Sequence, residues 1–299
     1  MNVTYKKDNI FAVIVLYRTE VNEFKANLSY HLKNFSSIIL VNNSPKISLH
    51  SFKSPKVTII NNLHNIGLAS ALNVGIIEAK KRGAVMVALF DQDTKLPLNF
   101  TQQMLWYINN FPEDKTVAVY SPIFHNHVID ETSKHINFKP FRLIRGLVDE
   151  SDYAHPHYVI TSGSIIPMEV LDDVGLMCEE LFIDFVDIEW CLRARRKGYE
   201  IVAINKVKID HYLGDYMVQF MGRSIPIHSP LRMYYYFRNG IYLYQLGEID
   251  WCWRLVNAMR NLQLFLFYML FVKNRSTYIK YSIKGYYHGL IKKMGKLEE

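Results

Sequence analysis

Residues 84–94 read AVMVALFDQDT, an unbroken apolar run that stops at two carboxylates. Residues 84–90 are too few to cross a membrane and show no 3.6-residue period. They predict a strand buried on both faces, as in a parallel sheet. Asp91 and Asp93 then fall at the carboxyl end of that strand, where the loops of an open α/β sheet diverge and leave a crevice for ligands. Carboxylates two positions apart in the turn beyond a strand can converge on one hard cation. The same spacing suits a helix cap, with Asp93 leading into residues 94–97, and on the D-x-D alone both readings stay open.

Upstream, residues 10–17 (IFAVIVLY) predict a first strand, and Val21, Phe24, Leu28 and Leu32 give residues 18–32 the spacing of a helix. Residues 37–41 (SIILV) predict a second strand, broken by the turn cluster Asn42, Asn43, Ser44 and Pro45, and residues 57–60 a third. In residues 65–75 (NIGLASALNVG), small side chains at Gly67, Ala69, Ser70 and Ala71 mark the start of a helix that continues to Gly83. A helix start stripped of bulk admits a ligand to the backbone, and its free N–H groups suit an anion such as a diphosphate. Close packing of helix on sheet accounts for the same residues. The order β-α-β-β-α-β ahead of Asp91 predicts a mostly parallel sheet with helices on both faces.

Downstream, residues 98–111 read as a helix and residues 117–120 as a strand. Residues 124–158 are polar and read as an insertion or loop, and the histidines at 125, 127, 135, 155 and 157 match no metal motif and read as solvated. Residues 159–168 predict a strand broken at Ser162, Gly163 and Ser164, where glycine marks a close backbone approach. Residues 181–198 (LFIDFVDIEWCLRARRKG) hold a second acidic cluster, Asp184, Asp187 and Glu189, among Phe182, Phe185, Ile188 and Trp190. Acids opening a helix and bases closing it complement the macrodipole. An acid among large apolar side chains also has its charged form partly desolvated, which raises its basicity toward that of a general base. Strands over 199–204 and 207–212 follow, the second ending in Asp210 and His211. A neutral imidazole there completes a cation site with Asp93 or is simply structural.

With 299 residues and 49% hydrophobic composition, the chain can bury a full core and carry an appendage. The net charge of +7 and a pI near 9.1 point to an acidic partner: a nucleotide diphosphate, an anionic membrane or nucleic acid. Cys178, Cys191 and Cys252 are scattered and odd in number, which indicates neither a disulfide framework nor a zinc site. The apolar run after Lys6 and Lys7 reads as a strand rather than a signal peptide. Residues 262–272 form the longest later apolar stretch, too short for a span. Beyond Gly240 the chain turns aromatic and basic, a composition that suits helices lying in a membrane interface, a helical lid or a dimer contact.

In their order and spacing these pieces resemble family 2 nucleotide-sugar glycosyltransferases of the GT-A fold, within it the bacterial rhamnosyltransferase-like branch. Residues 38–44 (IILVNNS) resemble the strand and turn that cradle the base, and residues 65–75 the family's N-x-G-x-A-x-A-x-N-x-G segment. Residues 90–93 (FDQD) are similar to its D-x-D, and residues 182–190 to the region of its catalytic acid. His211 resembles its late metal-binding histidine, and Phe237, Arg238 and Asn239 an arginine–asparagine step. The resemblance covers residues 10–245. It departs at Asn42, where the family usually has Asp to receive the base, and at Val186, where many members carry a further acid.

The resemblance implies a GT-A catalytic domain over 1–245 and a helical, membrane-associating region over 246–299. It implies an inverting, metal-dependent transfer, with Asp187 as general base and Asp93 and His211 as ligands of Mg2+ or Mn2+. Tyr17, Asn42, Asn65, Gly67, Asp91, Gln92 and Arg238 would bind the donor, with Arg238 on the diphosphate. Glu189, Trp190 and Gly163 would support the acceptor, the base or the sugar pocket. The implied donor is dTDP-rhamnose or a related nucleotide-sugar, and the implied acceptor a polyprenyl-diphosphate-linked glycan for surface polysaccharide such as O-antigen. The expected place is the cytoplasmic side of the bacterial membrane, as a peripheral protein and possible homodimer that binds no nucleic acid. The alternatives are a galactofuranosyl or hexosyl transferase using a UDP-sugar, a nucleotidyltransferase, and, outside enzymes, a basic nucleic-acid-binding protein or a membrane scaffold. Residues 16–20 (LYRTE) lack the glycine-rich loop of a nucleotidyltransferase, and the acidic clusters oppose nucleic acid.

Overall fold

The computed structural model describes residues 4–44, 48–112, 116–126, 131–210, 216–220 and 223–298. The first strand, β1 (Ile10–Leu16), leads through α1 (Val21–Asn34) to β2 (Ser37–Asn42), then β3 (Val57–Asn61), α2 (Leu68–Lys81) and β4 (Met86–Asp91). These four strands pair in parallel, with Phe11 opposite Ser37, Ile38 opposite Val57 and Ile10 opposite Met86. Their side chains alternate between two cores: Val13, Val15, Val87 and Leu89 face α2 and its neighbours, while Ile10, Ile14, Met86 and Phe90 face the side of α1. Burial on both faces is why these strands are unbroken apolar runs.

The chain continues as α3 (Phe100–Asn109), β5 (Val117–Asn126), β6 (Glu131–Thr132), the hairpin β7 (His135–Lys139) and β8 (Arg142–Gly146), β9 (Tyr153–Ala154), β10 (Ile165–Pro167) and α4 (Met168–Val174). Then come α5 (Val186–Arg196), β11 (Glu200–Asp210), the pair β12 (Tyr216–Phe220) and β13 (Arg223–Ile227), and three helices, α6 (Pro230–Leu243), α7 (Trp251–Phe271) and α8 (Arg275–Leu290). The main sheet runs β3-β2-β1-β4-β10-β5-β11-β9, with β6 on β5. It is mixed, because β10 enters antiparallel between β4 and β5.

Three local expectations change. Residues 159–168 are strand only at 165–167, because the Ser162–Ser164 step turns back to bond strand β4, with Gly163 donating to Leu89. The two strands expected over 199–212 are one strand with a register shift between Ile204 and Lys208. Residues 124–158 hold a hairpin rather than only loop, and their described histidines are engaged: His135 Nε2 lies 2.8 Å from Asn205 Oδ1, His157 Nδ1 2.6 Å from Asn137 Oδ1, His125 Nδ1 3.4 Å from Thr132 Oγ1 and His155 Nδ1 3.4 Å from Glu200 Oε2. His127 lies outside the described residues. Helix α8 packs backbone-close on α6, where a Cβ added at Gly285 would stand 2.5 Å from the Tyr234 carbonyl. Among the described residues, no helix is long and apolar enough to cross a membrane.

Candidate active site

The D-x-D turn is held from three sides. Gln92 Oε1 accepts the Tyr17 N–H at 2.9 Å and the Thr19 hydroxyl at 2.5 Å, and its Nε2 donates to the Tyr17 carbonyl, tying the turn to the end of β1. From α1, Asn27 Nδ2 donates to the Gln92 carbonyl at 2.9 Å and Asn34 Nδ2 to that of Pro97 at 2.8 Å. His31, fully buried between them against the Phe90 ring, has its pKa lowered by burial to about 4 and is neutral. From β10's side, Ser162 Oγ accepts the Asp91 N–H at 3.2 Å and shares a hydrogen bond with Thr94 Oγ1. Lys95 and Asp210 exchange two backbone hydrogen bonds, at 3.0 and 3.1 Å, so β11 ends beside the turn. Asp91 is left half-buried and Asp93 exposed.

The next wall is a set of asparagines. Asn43 Nδ2 donates to Asn65 Oδ1 and to the Gly67 carbonyl, while its Oδ1 accepts from Ile66 N–H and Asn62 Nδ2. Asn65 Oδ1 in turn accepts the Gly67 N–H at 2.9 Å. Asn42 is 1% exposed, with its Nδ2 on Asn61 Oδ1 and its Oδ1 taking the Ser44 N–H. The expected contact of Asn42 with a base does not match this placement, because the amide is buried and engaged in its own turn. The start of α2 is not open to a diphosphate either: the Phe182 carbonyl accepts the Leu68 N–H at 2.6 Å and the Ala69 N–H at 3.4 Å. Gly67 makes that approach possible, with φ +89° and a Cβ position 2.6 Å from the Phe182 ring.

Asp187 lies half-buried in the first turn of α5. Burial pushes its carboxyl up to about 6 against the lowering effect of the Ile188 N–H, and the charge of Asp91 adds to the rise. The two acids, from distant parts of the chain, therefore feel each other's charge. The loop before α5 is unusual: Phe182, Asp184 and Phe185 have φ of +63°, +62° and +66°. Asn239 Nδ2 faces the carbonyls of Leu181, Ile183 and Asp184 at 2.9, 2.7 and 2.9 Å. Asp184 also pairs with Arg232 at 3.1 Å.

Other expected site residues stand behind the crevice. Glu189 and Arg193 pair at 2.7 and 2.9 Å, and the guanidinium also takes the Val174 and Leu176 carbonyls. Trp190 is buried with its Nε1–H on the Gly175 carbonyl at 2.8 Å. Both residues brace α5 against the end of α4 and offer no surface to an acceptor. Arg238 does not reach a diphosphate; it is 0% exposed, with its guanidinium donating to backbone carbonyls. Gly163 has φ +85°, and a Cβ there would be 2.6 Å from Pro122, so tight packing accounts for it. His211 lies outside the described residues.

Among the described residues no three His, Cys, Asp or Glu side chains form a metal cage. Asp91 and Asp93, at and just beyond the end of β4, are nevertheless of the ligand type that Mg2+ or Mn2+ takes. Hard cations of this kind take one or two carboxylates and complete their shell with substrate phosphates and water. The residues not foreseen from sequence are Thr19 and Asn27. Asn27, His31 and Asn34 did carry a signal, since three polar residues at helical spacing beside an apolar stripe mark a buried polar contact.

The fold is that of the GT-A glycosyltransferases. The solved structure of S. aureus TarS residues 1–349 is similar with a TM-score of 0.58 over 95% of this chain and 82% of that one, at 11% identity. The same protein in complex with UDP-GlcNAc gives 0.59 over 94% and 81%, at 10% identity. GalNAc-T7 with UDP, GalNAc and Mn2+ gives 0.56 over 84% of this chain and 54% of that one, at 13% identity. No protein-family profile matches the chain. The dTDP-rhamnosyl transferase RfbF of Shigella flexneri is 31% identical over 294 residues, 94% of this chain and 95% of that one. The chain belongs to the rhamnosyltransferase-like branch of the family 2 glycosyltransferases.

Proposed function

We propose that the protein transfers L-rhamnose from dTDP-β-L-rhamnose, with inversion, to a glycan acceptor carried on a polyprenyl diphosphate at a membrane surface. The observation that carries the donor is the full-length similarity to a dTDP-rhamnosyl transferase. The geometry supports the chemistry. An acceptor hydroxyl attacking the anomeric carbon must lose its proton, and Asp187, raised to about 6, is ionised yet basic enough at neutral pH to take it. Asp91 and Asp93 would hold a Mg2+ or Mn2+, which when bound neutralises charge on the departing diphosphate. The Gln92 clamp fixes the turn that carries both carboxylates, so their position is set before substrate arrives.

The acceptor side rests on α7 and α8. Residues 251–297 contain no Asp or Glu, and α7 exposes Met259, Leu262, Leu266 and Leu270 at helical spacing. An apolar stripe flanked only by cations suits an anionic lipid surface. A UDP-sugar donor is the second reading, favoured by Asn42, whose buried amide leaves base choice to other groups. The test is calorimetric titration with dTDP, UDP and GDP, each with and without Mn2+. Metal-dependent binding of dTDP over the others supports the rhamnosyl donor. Preference for UDP moves the assignment to a hexosyl or galactofuranosyl donor, and no binding to any of the three overturns the proposal.

A further inference from the structure

Arg238 and Asn239 are buried on α6, remote in sequence from the acid cluster, yet Arg238 Nη2 and Asn239 Nδ2 both donate to the loop in front of it. Arg238 Nη2 donates to the carbonyls of Leu181 at 2.9 Å and Glu180 at 3.2 Å. Asn239 Nδ2 covers Leu181, Ile183 and Asp184. We propose that this pair, completed by Gly295, positions Asp187 for transfer by holding residues 180–184 in the strained path that opens α5.

Three observations converge on this assignment. First, three of the four residues 182–185 are non-glycine and left-handed. Such a path persists only where its surroundings over-determine it. Second, the restraint is directional. Arg238 Nε donates to Asn239 Oδ1 at 2.9 Å, which fixes the amide so that its NH2 faces the loop carbonyls. Third, the clamp closes from the far side. Gly295 donates to the Glu180 carbonyl at 2.9 Å, and its own carbonyl accepts from Arg238 Nη1. The guanidinium lies 4.9 and 5.6 Å from the Tyr235 and Tyr234 ring centres, which hold the buried cation in place. Helix α6 and the segment after α8 thereby grip the loop that sets the start of α5, three residues before Asp187.

The proposal rests on Asp187 as the base, and the test separates the two. Asn239→Ala is compared with the intact protein by hydrogen–deuterium exchange, nucleotide calorimetry and transfer kinetics. Faster exchange confined to peptides spanning 180–190, a kcat at least a hundredfold lower and a nucleotide Kd within threefold are expected. Arg238→Lys keeps the buried charge but not the fork, and serves if the first variant is poorly folded. It should lower kcat at least tenfold with the same unchanged Kd. Wild-type kcat in both variants, unchanged exchange over 180–190, or a Kd that weakens in step with kcat would overturn the clamp. Asp187→Asn is run alongside: full turnover there sinks the base assignment, whereas the exchange result judges the clamp alone.

Discussion

The Phe182 carbonyl accepts the Leu68 N–H at 2.6 Å, so a left-handed residue from the acid-bearing loop caps the helix that follows the asparagine wall. Donor wall and base loop thus touch at a position where only glycine fits.

Gly67→Ala should break that joint. Its φ of +89° and ψ of +166° lie in a region essentially restricted to glycine, and the new Cβ would meet both the ring and the carbonyl of Phe182. A loss of about 3 kcal/mol in unfolding free energy, from strain plus displacement of Phe182, is expected in denaturant titrations. Transfer activity should fall with it.

Asp187 gives a pH dependence with a definite sign. Its ionised form is the base, so kcat should drop about tenfold per pH unit below about 6. Asp187→Asn should lower kcat roughly 10²–10⁴-fold and leave nucleotide affinity intact. The folded carboxyl binds its proton more tightly than the unfolded one at 3.8, so stability falls as pH rises from about 4 to about 6 and stays reduced above. The Asn variant should therefore melt higher than the parent at pH 8 and equal to it below pH 4. A variant that melts lower at pH 8 contradicts the desolvation account.

Asp93 is exposed at the tip of the D-x-D turn. Removing divalent ions with EDTA should abolish transfer, and Mn2+ should restore it. Asp93→Ala should weaken nucleotide binding in Mn2+ by roughly tenfold or more, about 1.4 kcal/mol, while unfolding free energy stays within about 0.5 kcal/mol of the parent. Equal nucleotide affinity with and without Mn2+ would rule out a metal at this turn.

The stripe on α7 is testable on vesicles. Leu262 and Leu270 are 58% and 57% exposed, an unusual outlay of apolar surface for residues on one helix face. Leu266→Glu together with Leu270→Glu should cut co-sedimentation with anionic vesicles severalfold, and added salt should weaken the parent's binding as well. Calorimetry of dTDP binding should be unaltered. Equal binding of parent and variant would move the surface to a protein contact.

Much of the frame was legible because strands buried on both faces leave continuous apolar runs, and α2 declares itself by small residues. Asp91 and Asp187 were legible for a related reason: a carboxylate amid large apolar neighbours is costly and implies a use. Arg238 misled. The resemblance put its guanidinium on a diphosphate, but Nη2 instead donates to carbonyls of a loop almost sixty residues away in sequence, at Glu180 and Leu181, while Nε and Nη1 go to Asn239 and Gly295. The capping of α2 by Phe182 left no local trace, since a carbonyl is common to every residue. The reversal of β10 was hidden for the same reason, because pairing direction depends on the path of the chain and not on the three residues that pair.

That reversed strand also dictates an order of assembly. Strands β1 to β4 are complete once Asp91 has been made, but β4 pairs on its second side with Ile165–Pro167, which arrive much later from the ribosome. Until then the nascent half-sheet displays an open edge, apolar from Met86 to Phe90, the kind of surface that recruits other chains. The edge of β4 is thus the seam of the sheet that closes late in synthesis.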